Sequence, residues 1–293
     1  MPRVSIVLPT HNRADLLPAA LQSVVGQTFS DWELIVVDDA SSDGTPQVLE
    51  DWVARDARIR TVRNDPNRKL PASLNRGFSI ATGELWTWTS DDNLLRPQAL
   101  ARMVQELDNH PDAGLVYAGM SLIDEHDQIF AARPAGSPDD VLKEAVVGAC
   151  FLYRRNLAER VGAYAEDLFL AEDFDYWIRA RAVAAFRAIP EDLYLYREHP
   201  GALSISRAQR VGEVMAEVLE RHLGTPTVAW ASASQQAAAH LAVAGQALRQ
   251  RQRARLRRHV GAAWRLDSRA VRRDFKRGLL VALGAPWSLA GPN

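Results

Sequence analysis

Two pairs of adjacent aspartates are the residues of this 293-residue chain whose type and spacing most clearly favour chemistry. Asp38-Asp39 directly follows the apolar run ELIVV, and Asp91-Asp92 follows LWTWTS. Adjacent carboxylates repel each other unless a cation or hydrogen-bond donors relieve the repulsion. A turn would explain either pair alone, because Asp is a good turn former. Two pairs in equivalent positions instead predict a divalent cation, Mg²⁺ or Mn²⁺, which prefers carboxylate oxygens and the phosphates of a ligand.

A mainly parallel sheet would place these two pairs side by side. Apolar runs at residues 4–8 and 33–37 alternate with helical stretches at 14–25 and 45–57, which predicts βαβ units in an α/β fold. Ligands of such sheets bind beyond the carboxyl ends of the strands. The segment PTHNR, residues 9–13, follows the first strand, so it is expected at the same edge as the aspartates.

The alternation of strands and helices continues to about residue 210, and the chain beyond it has a helical pattern. Further strands are predicted at 59–62, 84–89, 114–118, within 148–155 and at 193–199, with a hairpin from about 118 to 134. Further helices are predicted at 70–81, 98–109, 172–183, 211–223 and 232–284. We therefore predict an α/β domain at residues 1–210 and a helical C-terminal extension at residues 211–293.

Charge is distributed unevenly between these two parts. Residues 211–293 carry 13 Lys and Arg against 5 Asp and Glu, whereas the residues before them carry 22 against 31. Six arginines lie within residues 249–258 and spread around most of a helix. This pattern favours a solvated surface or one that contacts another subunit or partner. Peripheral contact with anionic lipid is the second interpretation, and nucleic acid is disfavoured.

Several features predict a chain of the cytoplasm, with the inner face of the membrane as a peripheral location. The single cysteine, Cys150, cannot form an intramolecular disulfide and is expected to be a small buried residue. The N-terminus reaches a proline and a charged residue too early for a signal peptide. The longest uncharged run, residues 223–248, is rich in Ala, Ser and Gln, which is not typical of a membrane span.

The order of six motifs resembles family-2 glycosyltransferases of the GT-A fold, in particular those of bacterial spore-coat polysaccharide synthesis. The resemblance covers about the first 200 residues and rests on PTHNR, SVVGQTF, VVDDASSDGT, LNRGFSIATGE, SDDN and EDFDYWIR. It implies a nucleotide-diphospho-sugar transferase fold with a mainly parallel central sheet. It also implies transfer of a sugar to a hydroxyl acceptor with inversion, in polysaccharide, glycolipid or secondary-metabolite glycan synthesis.

The resemblance implies a nucleotide pocket lined by the first two loops. Pro9, His11 and Arg13 would line this pocket, although many relatives have Tyr where this chain has His11. Asp39 would accept a hydrogen bond from the imide of the base. Uracil and thymine share that imide, so a UDP-sugar or a dTDP-sugar is the expected donor.

The resemblance also assigns the metal and the general base. Asp92 would bind the divalent cation, and Asp91 would lie near the ribose or the metal waters, although Ser90 stands where the commoner motif has its first Asp. His199 would contact the metal or the diphosphate. Asp173 would take the proton of the acceptor hydroxyl. If Asp173 is only a helix cap, the alternative is a non-catalytic nucleotide-sugar-binding protein whose helical tail binds a partner.

Overall fold

The computed structural model describes residues 1–269 and 271–272, and in that part of the chain nine strands form one sheet. The sheet order is β3-β2-β1-β4-β8-β6-β9-β5, and β7 pairs with β6 outside this path. The strands are β1 Val4–Thr10, β2 Trp32–Asp38, β3 Ile59–Arg63, β4 Leu85–Trp88, β5 Leu94–Leu95, β6 Ala113–Ile123, β7 Ile129–Arg133, β8 Phe151–Arg154 and β9 Ala185–Arg197.

The sheet is mainly parallel, as predicted. β1 pairs in parallel with β2 and β4, β2 with β3, and the long strands β6 and β9 with each other. The antiparallel pairs join β4 and β6 to β8, β5 to β9, and β6 to β7 in the predicted hairpin. Because β1, β2 and β4 run in one direction, the loops that follow them meet at one edge.

Ten α-helices lie within the described residues. They are α1 Leu17–Val25, α2 Thr45–Arg55, α3 Lys69–Ser79, α4 Ala99–Asn109, α5 Arg155–Val161, α6 Glu172–Arg181, α7 Leu203–Ser206, α8 Ala208–His222, α9 Ala233–Arg249 and α10 Arg253–Leu266. Alternate residues of the central strands face opposite helical layers. Ile6 and Leu8 pack in the cluster with α1 and α4, whereas Val7 packs in the cluster with α3 and α6.

Helix α3 lies unusually close to β1. Gly77 permits this approach, because a Cβ atom at its position would come within 2.4 Å of Val7 Cγ1. The close contact fixes the height of α3 over the sheet. It thereby sets the position of residues 64–69, the loop that leads from β3 into α3.

The C-terminal helices differ in how they join the sheet. Val214 and Leu219 of α8 and Val243 of α9 belong to the same buried cluster as Trp177 of α6. Helix α10 instead packs on α9, where Ala263 forms part of a separate small cluster. The division at residue 210 stays a prediction, and two of the helices beyond it share a core with the sheet.

Several elements differ from the predictions. Strand β9 begins eight residues before the predicted strand, because an irregular stretch around Pro190 interrupts its alternating pattern and shifts its register against β6. Strand β5 and helix α5 were not predicted, since two and seven residues carry too little periodicity. The predicted helix at 232–284 is broken at Arg251, whose φ is 57°. Its part beyond residue 272 lies outside the described residues.

The helices within residues 1–269 and 271–272 are each too short or too polar to span a bilayer.

Candidate functional site

The loops after β1 and β2 are joined by hydrogen bonds. The backbone N–H of Asn12 donates to Ser41 Oγ (2.9 Å), and the N–H of Ser42 donates to Asn12 Oδ1 (2.8 Å). Asn12 adopts a φ of 53°, a left-handed conformation that Asn tolerates better than most residues. The N–H of Arg13 donates to Thr45 Oγ1 (2.9 Å). The two loops therefore form one unit that carries the predicted nucleotide residues.

Pro9 and His11 lie on this unit with different exposure. Pro9 is half-buried and pairs with Val37 in the sheet. His11 is exposed, and its Nε2 lies 3.3 Å from Asn12 Nδ2. The imidazole is thus accessible to a ligand that approaches the edge.

Asp39 is buried and organises the loop before α3. Its Oδ1 accepts hydrogen bonds from Asn64 Nδ2 (2.8 Å) and from the N–H of Arg68 (2.7 Å). Its Oδ2 accepts one from the N–H of Lys69 (2.9 Å). Each carboxylate oxygen offers two lone pairs, so Oδ2 retains the capacity for one more donor. Asn64 was not predicted as a site residue, although its place directly after β3 follows the same strand-end rule.

Asp91 is a buried carboxylate whose negative charge is only partly balanced by a neighbouring positive charge. Its side chain is 13% exposed, and its Oδ1 lies 3.7 Å from Arg13 Nε. Burial and the negative charge of Asp92 raise the pKa of Asp91 to about 7, against the opposing effect of Arg13. Arg13 also donates to the carbonyl oxygen of Gly201 (3.1 Å). It therefore connects the first loop to Asp91 and to the segment after β9.

The structure brings together the two residues predicted to bind the metal. His199 Nε2 lies 3.2 Å from Asp92 Oδ2, and both side chains are largely buried. No group of three or more His, Cys, Asp or Glu suited to a metal occurs among the described residues. Mg²⁺ and Mn²⁺ are commonly held by one or two protein ligands together with substrate phosphates. Asp92 and His199, with Asp91 adjacent, fit such a shared site.

Arg197 is a buried arginine that the sequence pattern did not reveal. Its Nε donates to the carbonyl oxygen of Asp92 (2.9 Å), and its backbone N–H donates to Asn93 Oδ1 (2.7 Å). Its Nη1 donates to the carbonyl oxygen of Asp124 (3.0 Å) in the turn between β6 and β7. Arg197 is only 4% exposed. It therefore holds the backbone of the Asp92 loop against the β6–β7 hairpin.

Asp173 is half-buried in the first turn of α6 and lies beside the buried acid Glu172. Burial raises the pKa of Asp173, and its Oδ1 accepts a hydrogen bond from the N–H of Phe174 (2.7 Å). Glu172 accepts one from the N–H of Leu170 (2.8 Å), and burial, followed by the charge of Asp173, raises its pKa to about 8. A carboxylate with a raised pKa is a stronger base than an exposed one.

The residues predicted to act on the ligand form one connected set, from which Asp173 is separate. Arg13, Asp91, Asp92 and His199 are joined by direct contacts or by the chain itself, and Asp39 is joined to them through the interlocked loops. Asp173 makes no side-chain hydrogen bond or ion pair with these residues in the described chain. Cys150 is buried, as predicted, and burial raises the pKa of its thiol, which suits an apolar role.

Comparison with known proteins identifies the fold and the family of this chain. The chain is similar in fold to solved structures that include the following two, and both likenesses bear on the fold alone. A mannosyltransferase from Pyrobaculum calidifontis, in complex with GDP-Man and Mn²⁺, has a TM-score of 0.63 at 23% identity, over 97% of this chain and 81% of its own. Residues 1–349 of TarS from Staphylococcus aureus, in complex with UDP-GlcNAc, have a TM-score of 0.61 at 16% identity, over 94% and 92%.

The family follows from sequence. The model of glycosyl transferase family 2 matches residues 5–162, more than half of the chain, and the chain belongs to that family. A PGL/p-HBAD biosynthesis glycosyltransferase of Mycobacterium bovis is 31% identical over 61% of this chain and 69% of its own length. An uncharacterized protein, y4gI, of Sinorhizobium fredii is 30% identical over 77% of this chain, which spans only 26% of that relative.

Proposed function

We propose that this chain transfers a sugar from a UDP-sugar or dTDP-sugar to a hydroxyl acceptor, with inversion at the anomeric carbon, in the synthesis of a bacterial glycan. The observation that carries the proposal is the continuous set of contacts at one sheet edge. It runs from the loop of Asp39 through Arg13 to Asp91, Asp92 and His199. A nucleotide diphosphate presents a base, a ribose and two phosphates in the same linear order.

Asp39 is suited to the base end of this set. The free lone pair of its Oδ2 can accept the imide N–H that uracil and thymine share. Guanine also has a ring N–H, and one neighbour in fold was solved with GDP-Man, whereas another was solved with UDP-GlcNAc. We assign the pyrimidine because the imide presents one N–H between two carbonyls.

Asp92 and His199 are the residues that would hold a divalent cation, and Asp91 adds negative charge beside them. When bound, the cation neutralises charge on the departing diphosphate. Arg13 supplies a second positive charge at the same place through its contact with Asp91. Arg197 orients the backbone of Asp92 and acts as a positioning residue rather than a ligand.

Asp173 is proposed as the general base. The acceptor oxygen forms a bond to the anomeric carbon while its proton passes to the Asp173 carboxylate. The bond from the anomeric carbon to the diphosphate breaks, and the electron pair leaves with the diphosphate. Because attack occurs on the face opposite the leaving group, the configuration inverts. Burial favours this role, since the raised pKa of Asp173 strengthens its affinity for the proton.

Calorimetric titration tests the donor assignment. We expect UDP and dTDP to bind more tightly than GDP and ADP, each in the presence of Mn²⁺. Asp39→Asn should reduce the pyrimidine preference by about 1–3 kcal/mol, since an amide leaves one partner unpaired. Asp15→Asn, an exposed acid in the loop after β1, is the matched control. Equal binding of all four nucleotides, or tighter purine binding, would refute the assignment.

Removal of Asp92 tests the metal assignment separately. Asp92→Asn should abolish the dependence of UDP binding on Mn²⁺ while the melting temperature changes little, because the substitution also relieves repulsion with Asp91. Unchanged metal dependence would move the cation site elsewhere. Sugar transfer with an identified acceptor then separates the enzyme from the non-catalytic nucleotide-sugar-binding alternative.

A further inference from the structure

Helix α10 has an inner face whose charges are paired. Arg255 Nη2 donates to Glu220 Oε2 of α8 (2.7 Å), and Arg258 Nη2 donates to Glu220 Oε1 (2.6 Å). His259 is buried, and its Nε2 lies 2.8 Å from the same carboxylate. Two of the six arginines noted in residues 249–258 are therefore used to attach α10 to the body of the protein.

The outer face of α10 is defined by Arg253, Arg257 and Trp264. Spacings of four and seven residues place these side chains on one side of a helix with 3.6 residues per turn. Both arginines are exposed, and neither has an acidic partner among the described residues. Trp264 is 46% exposed, and the guanidinium of Arg272 lies 5.2 Å from its ring centroid. This outer face thus combines unpaired positive charge with an exposed indole.

The sequence on either side of α10 has the same combination of basic and apolar residues. Residues 249–272 contain nine arginines and one acid, Asp267. Residues 278–293 contain no Asp, Glu, Lys or Arg and include leucines and a tryptophan. Arginines combined with tryptophan and leucine are typical of segments that lie at a membrane surface.

We infer that the outer face of α10 docks on an anionic lipid surface. The arginines would pair with lipid phosphates, each contributing favourable electrostatic energy near a negatively charged leaflet. Trp264 would lie at the level of the headgroups, where indole rings are enriched. None of the proposed nucleotide or metal residues contacts α10 in the described chain. Docking through this face therefore leaves the strand-end edge accessible and does not depend on the proposed function.

Vesicle flotation with the full chain tests this inference. Vesicles of equal parts phosphatidylglycerol and phosphatidylcholine should bind the chain, and phosphatidylcholine alone should bind it much less. Binding to the anionic vesicles should fall as salt rises, because contacts between exposed charges are screened. The double variant Arg253→Gln/Arg257→Gln should weaken binding on the order of tenfold. Trp264→Ser should weaken binding to a smaller extent and at every salt concentration.

The double variant Arg55→Gln/Arg155→Gln removes the same charge from exposed positions on α2 and α5 and should bind like the wild type. If the control variant weakened vesicle binding equally, the effect would come from the net charge of the chain, and the inference of a docking face on α10 would be wrong. Equal binding to both kinds of vesicle would also overturn it. Binding to single-stranded nucleic acid without binding to vesicles would also overturn the inference, because the face would then recognise nucleic-acid phosphates instead of lipid. Nucleotide titration of the same variants reports independently on the strand-end site.

Discussion

Two buried carboxylates of α6, three residues apart, have pKa values displaced in opposite directions. Glu172 faces the charge of Asp173 and has one backbone N–H as a donor, and its pKa is raised to about 8. Asp175 is buried as deeply, yet its pKa is lowered. His222 of α8 lies 2.8 Å from Asp175 Oδ1, and Arg179 donates to its Oδ2 (2.8 Å), which outweighs the effect of burial.

The same contrast separates two regions of the molecule. At the strand-end edge and the start of α6, acids are held without full compensation, and Asp91, Glu172 and Asp173 have raised pKa values. Beneath the C-terminal helices, Asp175 and Glu220 are compensated and have lowered ones. Uncompensated buried acids cost stability, so the place that keeps them is a candidate for function. The compensated acids join helices to one another, since Asp175 joins α6 to α8 and Glu220 joins α8 to α10.

The strongest test of this contrast is Asp173→Asn. The amide keeps the shape of the aspartate and can still accept the N–H of Phe174, but it cannot accept a proton, so sugar transfer should fall by about 10²- to 10⁴-fold. The melting temperature and the affinity for UDP with Mn²⁺ should stay close to the wild type. Glu159→Gln, at an exposed position on α5, is the control and should retain full transfer. Full transfer by Asp173→Asn would leave Asp173 with only its structural hydrogen bond to the N–H of Phe174.

His222→Ala should lower stability and leave sugar transfer nearly unchanged, the converse of Asp173→Asn. The substitution leaves the buried carboxylate of Asp175 with Arg179 as its main partner, so the free energy of unfolding should fall by about 2–3 kcal/mol. Below its unfolding transition, the variant should still transfer sugar within a few-fold of the wild type, because the active carboxylates are unchanged. Urea denaturation gives the stability. His126→Ala, with a side chain 78% exposed, should change it little. A loss of transfer without a loss of stability would place His222 with the catalytic group.

The last test is the dependence of stability on pH in Glu172→Gln, where the expected effect per pH unit is smaller than the loss in His222→Ala. Between the ordinary value of 4.5 and about 8, the folded state holds a proton on Glu172 that the unfolded state has released. This group therefore lowers the stability of the wild type as pH rises through that interval, by at most about 1.4 kcal/mol per pH unit. The glutamine variant lacks this contribution, so its free energy of unfolding, measured by denaturant at several pH values, should depend less on pH. An unchanged slope would show that Glu172 is not protonated in the fold.

The strand-end rule accounts for what the sequence could predict of the site. Arg13, Asp39, Asp91 and Asp92 all follow apolar runs, and the parallel pairing of β1 with β2 and β4 brings their loops to one edge. His199 came from family resemblance, and the structure places it against Asp92. The roles proposed for these residues stay predictions until the titrations above are done.

Residues that act through distant partners could not be predicted in this way. Arg197 ends an apolar strand pattern, and its carbonyl partners at residues 92 and 124 carry no side-chain signal. Asp175 and His222 lie 47 residues apart in sequence, on helices whose contact depends on tertiary packing. Local periodicity reports which face of a helix is buried, but not which helix covers it.

The position of Asp39 has a consequence for how donor choice can change during evolution or engineering. The carboxylate proposed to select the base also accepts the N–H groups of Arg68 and Lys69 and the amide of Asn64. A single substitution at this position would alter recognition and release the loop before α3 together. A lineage that adopts purine donors must therefore either keep this carboxylate and reshape the pocket around it, or replace residues 64–69 in the same step.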